Sequence, residues 1–342
     1  DTHRHLVEAR ADAEARLFIA GRAEGVPVMT EMKDLIEGVL SPEYSGRTIL
    51  ELLQNGHDAH DRLRDDGELV VLLDVDEGPH GTLYVANRGE PLTEASFKGI
   101  TGTGQSPKRP DESIGNKGIG FKSVTELSVE PQVYSAAFEG APGLSGFRFR
   151  FALDEDFDAI AARVAPDEPS LAAELRNGVA HLRVPVPLPP CLPEQVRSFG
   201  ADAFSTVIRL PLRSASALAS ALEQVREIES SEVPFHLFLD RVSFISLHVV
   251  GADVDEEVVL TRETIELPWV DVLERSGVTA HELDLDDVSR YLVASRSVAE
   301  AHFLGAIQES VRAGHLNRNW LEWRGPARVS VALPLHREID AG

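Results

Sequence analysis

Few stretches leave a chain as little latitude as the nine residues Glu51-Leu-Leu-Gln-Asn-Gly-His-Asp-Ala59. Ile49, Leu52 and Leu53 follow helical spacing and predict a half-buried helix. Glu51, Asn55 and Asp58 fall at i, i+4 and i+7 and share one stripe of that helix. Two carboxylates and an amide lined up at the edge of a core are costly to desolvate unless something binds them. A nucleotide with its metal ion would do so. An amphipathic helix with a solvated polar face is the plainer alternative, and the stretch alone does not choose between them.

Two later segments favour the nucleotide. Residues 83–92 read as a short β-run that stops at Asn87-Arg-Gly89. Residues 113–124, Ser-Ile-Gly-Asn-Lys-Gly-Ile-Gly-Phe-Lys-Ser-Val, read as a glycine-rich turn opening into a helix. Gly115, Gly118 and Gly120 let a backbone approach phosphate oxygens, and a helix N-terminus there offers free N–H donors. The segment is not a Walker loop, because GxxxxGK followed by Ser or Thr is absent, and the dinucleotide fingerprint does not fit. The order of parts (helical E…N..D, strand-end N-x-G, then GxKGxGFKS) is far more specific than any one of them.

In that order and spelling the chain resembles the GHKL ATPase superfamily, which includes gyrase B, the ninety-kilodalton heat-shock chaperones, MutL-type repair proteins and sensor histidine kinases. ELLQN and GNKGIGFKSV are closest to the sacsin-like and NO VEIN-like ATP-binding domains. Ser205-Thr-Val-Ile-Arg-Leu-Pro-Leu-Arg213 resembles the strand that closes the nucleotide pocket. Pro234-Phe-His-Leu-Phe-Leu239 and Val331-Ala-Leu-Pro-Leu335 resemble segments that follow the domain in NO VEIN-like proteins. The likeness is strong over residues 40–213 and fainter over 230–342.

The resemblance implies an α+β fold: a two-layer α/β sandwich of the GHKL type with a mixed, mainly antiparallel sheet, plus a smaller C-terminal α/β unit. It divides the chain into a helical extension (1–40), an ATP-binding domain (41–215) and a second unit (216–342). It also implies ATP and Mg²⁺ as ligands. Glu51 takes the general-base position, polarising a water for attack on the γ-phosphate. Asn55 ligates Mg²⁺ through its amide oxygen, and Asp58 steadies the pocket or a water near the nucleotide. Asn87 stands where most of the superfamily has an Asp that accepts from the adenine amino group; its carbonyl still accepts, without the charge. Gly89 turns the chain beneath the base. Gly115, Gly118 and Gly120 cradle phosphates ahead of Phe121, and Lys117 or Lys122 neutralises them. Ser106 and Lys108 reach ribose or phosphate from a lid. Thr206 matches the threonine that reaches adenine through water in the chaperone branch, or is a plain β-branched strand residue.

Charge supports one local polyanion rather than a nucleic acid. The 56 acidic and 33 basic residues give a net charge of −23, which opposes non-specific nucleic-acid binding. Against that background Lys98, Lys108, Arg109, Lys117 and Lys122 gather within 25 residues. A triphosphate explains them better than an ordinary charged loop.

An apolar content of 43 % is ordinary for a globular chain. No run of ~18 apolar residues predicts a membrane span. A single cysteine, Cys191, fits a reducing cytosol. The alanine-, arginine- and aspartate-rich composition resembles that of a high-GC bacterial proteome. The start at Asp1 and the strand-like end lead us to expect a part of something longer.

Turns and periods predict helices over 6–24, 28–39, 214–230 and 283–313. They predict strands over 68–76, 81–87, 129–138, 146–153, 179–186, 206–212, 244–250, 257–261 and 327–333. Residues 98–114 read as a mobile lid loop, and the five prolines of 185–193 as a surface connection. His57 and His60, spaced i and i+3, read as exposed helix histidines rather than zinc ligands. Trp269, Trp320 and Trp323 read as packing anchors.

Two functions are expected. The first is a slow ATPase whose lid closure and ATP-linked homodimerisation act on a protein client or neighbouring domain, in a chaperone-like or defence setting. The second is a nucleotide-gated interaction module with negligible turnover, since the completing lysine or arginine can come from elsewhere. Arg209, Arg213 and Arg241 are local substitutes. A histidine kinase is disfavoured, because no phosphoacceptor-helix motif precedes the domain.

Overall fold

Leu69-Val-Val-Leu-Leu73 is apolar at every position, the pattern of a strand covered on both faces. In the computed structural model this run lies near the middle of the sheet. The structure describes residues 2–36, 46–102, 120–231, 234–265, 267, 277–286, 289–316, 318–324 and 327–335.

The chain opens with α1 (Thr2–Ala23), α2 (Val28–Leu35), α3 (Thr48–Asp58), β1 (Gly67–Asp74), β2 (Thr82–Asn87) and α4 (Glu94–Thr101). A 3-10 turn (Gly120–Ser123) runs into α5 (Val124–Leu127), followed by β3 (Gln132–Ser135), β4 (Arg148–Phe151), α6 (Asp156–Val164) and α7 (Leu171–Gly178). A second 3-10 turn (His181–Arg183) precedes β5 (Pro185–Pro187), α8 (Glu194–Ala201), β6 (Thr206–Pro211) and α9 (Ala215–Glu229). A third (Phe235–Phe238) leads to β7 (Val242–Gly251), β8 (Val254–Ile265), β9 (Val278–Leu285), β10 (Ser289–Val298), α10 (Glu300–Arg312) and β11 (Ala327–Leu335).

The described strands form one sheet in the order β11-β10-β9-β8-β7-β1-β2-β6-β3-β4-β5. Only β1 and β7 pair in parallel; every other neighbouring pair is antiparallel. This is the expected α+β class with a mixed, mainly antiparallel sheet.

Period-2 alternation along β1 divides the core. Leu69, Val71 and Leu73 join Ile49, Leu52 and Leu53 of α3 and Ala217, Ala221 and Val225 of α9 on one face. Leu72 meets Tyr84, Tyr134 and Val207 on the other, beneath Val196, Phe199 and Phe204. The segment with α8 thus covers the second face over β2, β6 and β3, a layer that the sequence reading did not anticipate.

The break placed at 215/216 falls within this continuous sheet. The first strand beyond it, β7, pairs with β1 over Gly67–Asp74, and α9 packs into the first core. The proline-rich β5 sits at the sheet edge, where a missing N–H removes least.

Three expectations are corrected. Residues 283–286 and 289–298 are not helical: β10 pairs antiparallel with β9, Val293 opposite His281, and the helix begins only at Glu300. Half-buried and buried positions alternate along Leu292–Ser295, as a strand requires. Residues 179–184 are not a strand but include the 181–183 turn. The first part of the expected lid loop, from Lys98 to Thr101, is the end of α4, capped at its start by Thr93 accepting from the Ser96 N–H.

Candidate functional site

The start of α3 is held by side chains rather than by a conventional cap. Thr48 Oγ1 donates to the Ser123 carbonyl at 3.0 Å and lies 3.2 Å from Glu126 Oε2. The Ile49 N–H donates to Gln224 Oε1 at 3.0 Å. One of the helix's unpaired N-terminal N–H groups, that of Ile49, is thereby satisfied by α9, and the Thr48 side chain ties the helix start to the 120–127 segment. Ile49, Leu52, Leu53, Gly56 and His57 are buried, whereas Glu51 and Asn55 are half-buried on the other side.

The far end of α3 meets the end of β2. A Cβ on Gly56 would lie 2.6 Å from Leu69 Cδ2 and 3.5 Å from Asn87 Cβ. A Cβ on Gly89 would lie 2.6 Å from both the carbonyl carbon and oxygen of Ala59, and that oxygen accepts from the Glu90 N–H at 2.7 Å. Gly89 is therefore demanded by close passage of the chain under the α3 C-terminus.

Asn87 is buried, and its Oδ1 accepts from the Gly89 N–H at 3.1 Å, an Asx turn that ends the strand. Ser205 Oγ donates to the Asn87 backbone carbonyl at 3.1 Å and lies 3.4 Å from the same Oδ1. The amide oxygen expected to face adenine thus already holds its own turn, leaving Nδ2 outside these bonds. Thr206 is directly opposite Asn87 across β2 and β6, with its hydroxyl 3.4 Å from Ser135 Oγ.

Two expected residues are turned elsewhere. The Asp58 side chain is fully buried, and its Oδ1 is 3.3 Å from His57 Nδ1. Lys122 is buried, and its Nζ donates to the carbonyls of Ile100 at 2.8 Å and Leu182 at 2.7 Å. Its Nζ is spent on backbone rather than offered to a phosphate. Phe121 packs 6.0 Å from the Phe151 ring, and Gly120 opens the 3-10 turn. Ser106, Lys108, Gly115, Lys117 and Gly118 lie outside the described residues, as does Trp269. Trp320 and Trp323 stack on each other at 6.1 Å, with Phe303 against Trp323 at 4.8 Å.

The histidines are not exposed. His57 is buried, and its Nε2 is 3.1 Å from Asp240 Oδ1. Burial opposes charge on this ring, but hydrogen bonds to Asp240 and Asp58 outweigh it and raise its pKa. The bond from His57 holds Asp240 below the usual carboxylate range. His60 is half-buried; Nδ1 donates to the Gly56 carbonyl at 2.8 Å and Nε2 accepts from the Glu68 N–H at 3.3 Å. Burial lowers its pKa, in keeping with that neutral tautomer. Arg241 Nη1 completes the junction, donating to the carbonyls of Asp58 at 3.2 Å and His60 at 3.3 Å. No sequence signal pairs His57 with Asp240, 183 positions away.

Two clefts open nearby, and Glu51 and Asn55 line neither. One, of about 430 Å³, follows the Asn87–Gly89 turn between Pro91, Leu92, Phe138 and His3. The other, of about 600 Å³, lies on the opposite sheet face over Glu68, Arg88, Phe204 and His248. No helix among the described residues is long and apolar enough to cross a membrane.

No protein-family model matches the chain, and no curated protein matches it. Solved structures with partial overlap include the B-subunit of DNA gyrase from Myxococcus xanthus, at 14 % identity over 83 % of this chain and 78 % of that one, TM-score 0.34. The N-terminal domain of a DNA repair protein overlaps at 10 % identity over 75 % and 70 %, TM-score 0.31. The ATP-binding domain of topoisomerase IV from Francisella tularensis, in complex with a small-molecule inhibitor, overlaps at 10 % over 73 % and 58 %, TM-score 0.28. Overlap of this extent transfers no residue positions, so the functional reading rests on this chain's own side chains.

Proposed function

We propose that this chain binds Mg–ATP against the polar face of α3 and hydrolyses it slowly, as a GHKL-type ATPase. One juxtaposition supports the reading above all. The helix bearing half-buried Glu51 and Asn55 ends on the strand pair bearing Asn87 and Thr206, so phosphate-side and base-side candidates are gathered along one helix and the strand end it meets.

The donor set suits a small hard cation: an amide oxygen and a carboxylate one turn apart, with water and phosphate oxygens completing the shell. Asn55 would hold magnesium, which when bound offsets charge on the phosphates. Glu51 would take the proton of the attacking water. Asn87 and Thr206 would orient the base, with Gly89 keeping the strand end close beneath α3. The phosphate cradle falls to Gly115, Gly118 and Gly120. Of the two lysine alternatives Lys117 is preferred, because Lys122 is committed to two carbonyls. Asp58 acts from behind, through His57, rather than as a second carboxylate at the phosphates. Ser106 and Lys108 would belong to a lid that closes on ATP and orders a homodimer surface, delivering the cycle to a client or neighbouring domain.

Phosphate release tests the chemistry. Glu51→Ala should abolish turnover while nucleotide binding persists; unchanged turnover in that variant contradicts the assignment.

The second reading, a nucleotide-gated module with negligible turnover, draws support from the local arginines. Arg209 is engaged by Glu77 and Gln132, Arg213 by the Thr125 carbonyl and Arg241 by Asp58 and His60. Saturable ATP binding without phosphate release would favour it.

A further inference from the structure

Lys122 is 1 % exposed, and among the described residues no carboxylate touches its Nζ. Its two partners are carbonyl oxygens on different elements: Ile100, next to last in α4, and Leu182, within the 181–183 turn. The Phe151 ring lies 5.4 Å away. A neutral amine has two N–H groups and finds two acceptors among the described residues, whereas an ammonium would bring a third donor with no further acceptor among them.

The surrounding charge argues the same way. Glu14 of α1 is gripped by Arg183, at 2.8 and 2.9 Å, and receives Arg10 at 2.6 Å. One buried carboxylate already answers two guanidiniums, so a proton on Lys122 would add a third cation beside them. Burial first, then Arg183 and Arg10, lower the Lys122 pKa to about 7, with only Glu14 opposing. Arg10 Nη2 also lies 3.4 Å from the Thr101 carbonyl, which brings α1 to the end of α4.

We propose that Lys122 is a positioning residue that works as an uncharged amine, joining α4, the 120–123 turn and the 181–183 turn, and that gaining a proton loosens this junction. A charged Lys122 would be desolvated beside like charges with one N–H unpaired, which favours opening. The junction sets where Gly120 and Phe121 begin. It rests on the reading of the nucleotide site only for its consequence, that phosphate-side affinity weakens as pH falls through neutrality.

The chain has five lysines, so ¹³C-lysine labelling of the full chain resolves the claim directly. One Cε resonance should titrate with a midpoint near 7 and be missing in Lys122→Met or Lys122→Arg. Amide hydrogen exchange, corrected for its intrinsic pH dependence, should show protection at Ile100, Thr101 and residues 121–124 falling several-fold from pH ~8 to ~6 in the unsubstituted chain. In Lys122→Met that pH response should vanish. If every lysine resonance titrates above about pH 9, the uncharged amine is wrong. If one titrates near neutrality but protection does not move, the positioning role is wrong. Titration and exchange as stated, with no ATP binding at any pH, would leave the junction intact and remove the nucleotide reading instead.

Discussion

Gly89 is required by a neighbour rather than by its own backbone angle. The atoms that a Cβ would strike belong to the Ala59 backbone, which cannot rotate aside as a side chain would. Gly89→Ala should therefore cost about 1–3 kcal/mol, the range for overpacking a close contact. A lower urea midpoint with unchanged slope checks it, and an unchanged midpoint contradicts it. Lys122 makes a prediction of unusual sign. Between the native pKa near 7 and the unfolded value of 10.5, the unfolded chain holds a proton that the native chain lacks. Stability then rises with pH, by up to ~1.4 kcal/mol per unit for this group. Lys122→Met should lack that contribution, so the gap between the two chains should shift in favour of the unsubstituted chain as pH rises from 7 to 10 (approximate limits). Sequence alone left Lys117 and Lys122 interchangeable, because the direction in which a glycine-rich turn aims its lysine depends on carbonyls that arrive from Ile100 and Leu182. It likewise placed His57 in solvent, since its partner Asp240 lies on a remote turn.

At the scale of elements, α1 is a structural member of the core, contributing Val7, Ala11 and Ala15. Glu14 is 1 % exposed on it and pairs with Arg183, itself mostly buried. Removing one partner of such a pair strands the other's charge, so Glu14→Gln should destabilise by about 3–5 kcal/mol. Thermal unfolding measures this; a small effect typical of surface pairs would contradict the burial. Much at this scale was legible from local pattern: the α3 amphipathic stripe, the β1–β2 hairpin and the helix before residue 230. The strand over Ser289–Val298 was not, because Leu292, Val293 and Ala294 also suit a helix and the deciding contact is cross-strand pairing with β9 and β11. The α8 layer was missed for a similar reason. Its Val196, Phe199 and Phe204 become informative only once Tyr84 and Tyr134 are known to face them.

Across the whole molecule, the parallel register of β1 with β7 joins the two halves that composition and motif had separated. Sequence reading supplied the class of fold, and it singled out Glu51, Asn55, Asn87 and Thr206 because each sits in a recognisable local spelling. It missed the junction of His57, Asp240 and Arg241, which ties α3 to the segment leading into β7 and is assembled entirely from distant parts. That junction makes a connected route of contacts from α3 to the segment leading into β7. The route matters only if a nucleotide binds there. Isothermal titration of Mg–ATP into the unsubstituted chain and into Asn55→Ala tests this most directly. Saturable one-to-one heat that is weakened about tenfold or more in Asn55→Ala is expected, equivalent to at least ~1.4 kcal/mol. Absence of heat in the unsubstituted chain, or equal affinity in both, would contradict the account.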